Sequence, residues 1–103
     1  MTADQVIERW RAEEVAVRAQ LRAVDTGPHA SVAARSGMEL FEAIFAGDLS
    51  PAPIGETLDF VPIRMAPGEA VFQGSPKRRH YNPLGTVHGG WFATLLDSAV
   101  GCA

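Results

Sequence analysis

Asn82-Pro83-Leu84-Gly85-Thr86-Val87-His88-Gly89-Gly90 is a polar, turn-rich stretch. It runs straight into the apolar segment Trp91-Phe92-Ala93-Thr94-Leu95-Leu96-Asp97. The spacing predicts a helix that begins at Gly89 or Gly90. The first backbone N–H groups of such a helix have no partner inside it and carry the positive end of its dipole. Glycine at that point lets another molecule approach the backbone closely. The corner therefore suits an anion or a polarised carbonyl. Asp97 is the carboxylate within reach of the same element. At about 100° per residue, Trp91, Phe92, Leu95, Leu96, Ala99 and Cys102 fall away from it, while Gly90, Ala93, Thr94 and Gly101 flank it. A carboxylate on a face of small residues leaves room for a ligand or another helix. The competing reading is a solvated Asp on an ordinary amphipathic helix.

Geometry limits how the two groups can cooperate. Gly89 and Asp97 lie eight positions apart, about 12 Å along a helix axis. A bound carbonyl needs donors about 3 Å away, and a base or nucleophile must come equally close. One helix cannot bring both to one substrate. Two copies packed antiparallel can, so an active site built here belongs at a two-fold interface, with Asp97 acting across it.

The pattern Asn82-x-x-Gly85-x-x-His88-Gly89-Gly90, followed by Leu95 and Asp97, resembles the signature of the hotdog-fold acyl-CoA thioesterases of the phenylacetate (PaaI-like) type. The likeness extends more loosely upstream to about Ser36. It implies an α+β hotdog fold, an antiparallel sheet wrapping a central helix, and hydrolysis of acyl-CoA thioesters to a free acid and coenzyme A. By the resemblance, the Gly89 N–H polarises the thioester oxygen and Asn82 helps to hold the thioester. His88 supports the loop or the thioester group, with Gly90 beside it. Asp97 of the partner subunit activates water or attacks directly. The resemblance also implies a homodimer or dimer of dimers, and no metal or redox cofactor.

The elements that must position this corner can be read from the start of the chain. With 103 residues, a single domain is expected. A net charge of −3 provides no basic field for nucleic acid. One cysteine, Cys102, excludes an internal disulfide and a cysteine-based zinc site. Acidic residues among the first apolar ones argue against a signal peptide, and the longest apolar run is far too short for a membrane span. A cytoplasmic protein is the expectation.

Residues 3–24 read as an amphipathic packing helix. Thr2 and Gln5 form its capping box, Val6, Trp10, Val17, Leu21 and Val24 its stripe, and Asp25-Thr26-Gly27-Pro28 its stop. Residues 1–35 are thus an N-terminal helix and connector, in which His29 is a solvated loop residue. Residues 36–103 are the N-terminal part of a hotdog domain.

A second capping box at Ser36 to Glu39 opens a short helix carrying Leu40, Phe41, Ile44 and Phe45, which Gly47 ends. These aromatics read as core. The resemblance adds that the helix lies near the acyl end of the pocket, making Phe41 and Phe45 candidate acyl contacts. Ser50-Pro51-Ala52-Pro53 reads as a rigid linker. Residues 56–65 and 70–75 read as strands of a hairpin turning at Ala66-Pro67-Gly68-Glu69, with Pro62 demanding an edge or a bulge. Lys77-Arg78-Arg79-His80 reads as a solvated basic loop, or as a phosphate contact for coenzyme A through Arg78 and Arg79. His80 and His88 lack a third ligand for zinc.

A hotdog sheet has five or six strands and this sequence supplies two. The expectation is a C-terminally truncated product, a partial gene model or a fragment needing a partner, in which Trp91, Phe92, Leu95 and Leu96 go uncovered. The alternative function is accordingly a non-catalytic fragment that dimerises or binds acyl-CoA weakly. A hotdog hydratase or dehydratase is a third reading, from whose motif His88-Gly89-Gly90 departs.

Overall fold

A computed structural model describes residues 1–24 and 35–103. Asp25 to Pro28 and His29, read above as a helix stop and a loop histidine, lie outside the described residues. The architecture is α+β. Among the described residues, four helices, α1 (Ala3–Gln20), α2 (Gly37–Phe45), α3 (Pro53–Leu58) and α4 (Gly89–Cys102), accompany one antiparallel hairpin of β1 (Phe60–Ala66) and β2 (Glu69–Gly74). A 3-10 turn, Arg78–His80, leads towards α4.

Helix α1 starts where its cap predicts. The Thr2 N–H donates to Gln5 Oε1 at 2.8 Å and the Gln5 N–H to Thr2 Oγ1 at 3.2 Å. It ends at Gln20, four residues short of the expected 3–24 span, and buries no residue. Trp10 is 51% exposed, so the predicted stripe packs only in part. Polar contacts fasten the helix instead. Arg18 reaches Glu14 and Asp59, Glu13 meets Arg64 of β1, and Gln73 of β2 donates to the Trp10 carbonyl.

The expected helix at 36–47 forms. Ser36 Oγ accepts from the Glu39 N–H, which is half of the predicted capping box, and Gly47 takes a left-handed φ of 82° just past the end. Ala43 and Ile44 of α2 join Leu49 in a small core, with Leu21, Leu40 and Phe41 packed against it.

The strand expected from residue 56 is corrected. Residues 53–58 are helical, and the strand begins only at Phe60. Pro53 opens a helix rather than closing a linker, because proline at the first helical position gives up only an N–H that has no partner anyway. Glu56 adds a favourable charge in the first turn. Asp59 then turns the chain in a left-handed conformation, φ 59°, which Asp tolerates better than most residues. Gly55 allows the close packing: a Cβ there would sit 2.6 Å from the Phe60 carbonyl oxygen.

The hairpin is as expected, and so is the irregularity at Pro62. Pro62 pairs with Phe72 and Arg64 with Val71, so Ile63 is the extra residue of a bulge. Phe60, Val61, Pro62 and Ile63 are all buried, because α1, α2 and α3 pack against β1 while α4 packs against β2.

Candidate functional site

The loop before α4 is built by Asn82. Its Oδ1 accepts from the Leu84 N–H at 2.9 Å, an Asx turn, and its Nδ2 donates to Thr86 Oγ1 at 2.7 Å. The Asn82 N–H donates to the Thr86 carbonyl at 2.8 Å, and Gly85 closes the turn with φ 83°. The side chain of Asn82 is thus engaged at both ends within its own loop.

Helix α4 starts at Gly89, with His88 as its N-cap. The His88 ring folds over the helix start, and its Nδ1 accepts the Gly90 N–H at 2.8 Å. An alanine Cβ at position 90 would lie 2.9 Å from that nitrogen, so the cap requires glycine there. Gly89 differs. Its N–H has no hydrogen-bond partner among the described residues, and the space where a Cβ would stand holds no atom within 4 Å. One donor of the Gly-Gly pair is therefore used and the other is open.

Trp91 anchors the helix from below. It is 4% exposed, its indole N–H donates to the Leu58 carbonyl at 2.7 Å, and its ring lies 5.3 Å from Phe92 and 6.5 Å from His80. The expectation that Trp91 would go uncovered is corrected: the end of α3 and His80 cover it. Leu95 is half-buried. Phe92 and Leu96 are exposed, at 49% and 62%, as expected of the uncovered face.

His80 is also corrected. The sequence predicts a solvated basic loop, yet His80 is 7% exposed, with both ring nitrogens hydrogen-bonded. Arg78 and Arg79 remain exposed. Arg79 lines a shallow recess of about 220 Å³ with Tyr81, His88 and Trp91, whereas Arg78 does not.

Asp97 is exposed on α4, away from that recess, with no ion pair among the described residues. His88, Gly89 and Gly90 form the helix start, Arg79 shares the recess with His88, Asn82 shapes the loop before them, and Asp97 stands two turns along α4. A separate apolar cavity of about 510 Å³ opens beside the other end of α4. Leu40, Phe41, Phe60, Phe72 and Cys102 are among its walls. Phe41 lines it; Phe45 instead packs on Phe41 with ring centroids 6.4 Å apart. Desolvation by burial pushes the Cys102 thiol above its ordinary value.

Among the described residues, no group of three His, Cys, Asp or Glu side chains could hold a metal ion, and no helix is long and apolar enough to cross a membrane. Comparison with protein-family models, with curated proteins and with solved structures finds no match to this chain.

Proposed function

We propose that this chain carries the carbonyl-binding corner of an acyl-CoA thioesterase of hotdog fold. The reading rests on the resemblance of the Asn82 to Asp97 signature. One observation carries it further: the Gly89 N–H stands open at the start of α4, while His88 holds its neighbour Gly90. A thioester oxygen received by that N–H gains a hydrogen bond that strengthens as negative charge develops on it. Asp97 of a second copy takes a proton from water as the water oxygen adds to the carbonyl carbon. The tetrahedral intermediate collapses, the C–S bond breaks, and the leaving thiolate of coenzyme A accepts a proton. In the other route allowed by the family pattern, Asp97 attacks directly and water resolves the anhydride.

Asn82 and His88 serve this site by shaping the loop and helix start. Arg79, and Arg78 beside it, offer guanidinium contacts to the phosphates of coenzyme A. The apolar cavity lined by Phe41 is a place for the acyl chain, and its mostly apolar wall suits that class of ligand. No metal or redox group has a part in the reaction.

The test is release of free thiol from phenylacetyl-CoA and from a short aliphatic acyl-CoA. Asp97→Ala is expected to lower turnover by about 10² or more while leaving substrate binding largely intact. Unchanged turnover removes Asp97 from the mechanism. The second reading, a chain that dimerises or binds acyl-CoA without turnover, is favoured by the exposure of Phe92, Leu96 and Val100 on α4. Binding without thiol release from the unaltered chain selects it.

A further inference from the structure

His80 is the buried polar side chain among the described residues, and the reaction above makes no use of it. Its ring is held by two backbone groups of opposite kind. The Lys77 N–H points at Nδ1 from 2.8 Å, and the Thr57 carbonyl oxygen lies 3.2 Å from Nε2. A backbone N–H can only donate and a carbonyl can only accept. Nδ1 must therefore present its lone pair and Nε2 must carry the hydrogen. That is one tautomer of the neutral imidazole; the imidazolium, with a hydrogen on both nitrogens, does not satisfy the pair.

The backbone of the same residue reaches the corner. The His80 carbonyl accepts the His88 N–H at 2.9 Å, and Tyr81 bridges to Val87. His88 is the cap of α4. His80 thus joins the end of α3, the 3-10 turn and the residue that shapes the helix start. Its ring also lies beside Trp91, whose indole N–H is bonded to the neighbouring carbonyl of Leu58.

We propose that His80 is a proton-sensitive positioning residue, whose neutral imidazole, anchored on Thr57 of α3, latches the 3-10 turn at Lys77 and so sets the position of His88 and the open Gly89 N–H. On protonation, Nδ1 gains a hydrogen that faces the Lys77 N–H. The Lys77 bond is lost and two donors oppose each other, so the turn opens at Lys77, while Nε2–H still donates to the Thr57 carbonyl. The latch therefore holds while the ring is neutral and opens when it carries both hydrogens. The ionisable groups around it are Arg79, Tyr81 and His88 in the shared recess, with Arg78 on the same turn. Beyond Leu58 stands Asp59, paired with Lys77 at 3.4 Å and with Arg18 of α1 at 3.1 Å. This inference does not depend on the thioesterase reading, since it is tested on the conformation of the corner.

The experiment is NMR of the full chain, following ring nitrogens and backbone amides from about pH 8 to about pH 5, across the range in which histidine changes charge. At the alkaline end the His80 ring is expected to carry its hydrogen on Nε2 alone. On acidification, the Lys77 and Gly89 amides are expected to shift with the midpoint of the His80 ring. Protection of the Lys77 amide from exchange, corrected for the intrinsic effect of pH, is expected to fall about fivefold, the loss of a hydrogen bond of ordinary net strength.

His80→Asn keeps an acceptor near Nδ1 that does not titrate, and is expected to abolish the shared transition. His88→Asn removes the ring that accepts the Gly90 N–H and is expected to leave the shared Lys77 and Gly89 transition in place. A hydrogen on Nδ1 at the alkaline end, or a His80 titration that leaves Lys77 and Gly89 unmoved, overturns the proposal. So does an unchanged Gly89 transition in folded His80→Asn. If that variant fails to fold, the tautomer and the shared midpoint in the unaltered chain decide.

Discussion

Two adjacent glycines at the start of α4 do different work. Gly90 is small because the His88 ring lies against it; a Cβ would stand 2.9 Å from Nδ1. Gly90→Ala is expected to push the ring off its acceptor position and cost about 1 kcal/mol, the usual worth of an N-cap. Gly89 has open space above it and no left-handed backbone to protect. Gly89→Ala is therefore expected to leave stability unchanged or to raise it by up to about 1 kcal/mol, through a less flexible unfolded chain. The same methyl group stands where a substrate carbonyl must approach, so thiol release is expected to fall. Thermal melts beside the thiol assay separate the two effects. Full turnover in a stable Gly89→Ala chain contradicts the role given to its N–H.

Among the elements, α1 is attached in an unusual way. It has a good cap but no buried residue, so its docking rests on charged and amide groups along one side. Arg18 is the main link. Its Nε meets Glu14 at 2.8 Å, one terminal nitrogen meets the Asp59 carboxylate at 3.1 Å, and the other donates to the Asp59 carbonyl at 3.2 Å. The side chain is 35% exposed, and solvent screening reduces each ion pair accordingly. Arg18→Ala is expected to cost about 1 kcal/mol in urea unfolding, with a smaller loss at high salt because the charged part is screened. A loss that does not change with salt would assign the effect to packing of the arginine stem. The pattern of apolar residues in α1 was legible in the sequence. How deeply it packs was not, because burial depends on the surface it meets.

At the scale of the whole molecule, the fold is open on one side. Its radius of gyration is 14.6 Å, against about 13 Å expected for a compact chain of this length. Phe92, Leu96 and Val100 recur every fourth residue along α4 and are 49%, 62% and 75% exposed. A stripe of this kind marks a surface for association, and burying each such side chain fully is worth about 1.5–3 kcal/mol. The proposed site also needs a second copy, because Asp97 lies about 12 Å along the axis from Gly89. Light scattering is expected to show self-association of the chain, and Leu96→Glu is expected to weaken it at least tenfold. A chain that stays monomeric at all concentrations removes the arrangement in which Asp97 acts across an interface.

The sequence by itself determined the features whose causes are local. Thr2 with Gln5, Ser36 with Glu39, the turn at Pro67-Gly68, the bulge at Pro62 and the helix start at Gly89 each follow from a few neighbouring residues. The residues of the corner were legible for the same reason, since Asn82 to Gly90 organise themselves within one loop. Only the tertiary structure decided what depends on distant partners. Residues 53–58 became a helix rather than the start of a strand where Gly55 could sit against the Phe60 carbonyl. His80 left solvent because a carbonyl 23 positions earlier, at Thr57, was there to receive its ring N–H. Trp91 found cover at Leu58 while Phe92 beside it did not. Local signals choose a conformation; whether a side chain is buried and bonded is settled by surfaces brought together from far apart in the chain.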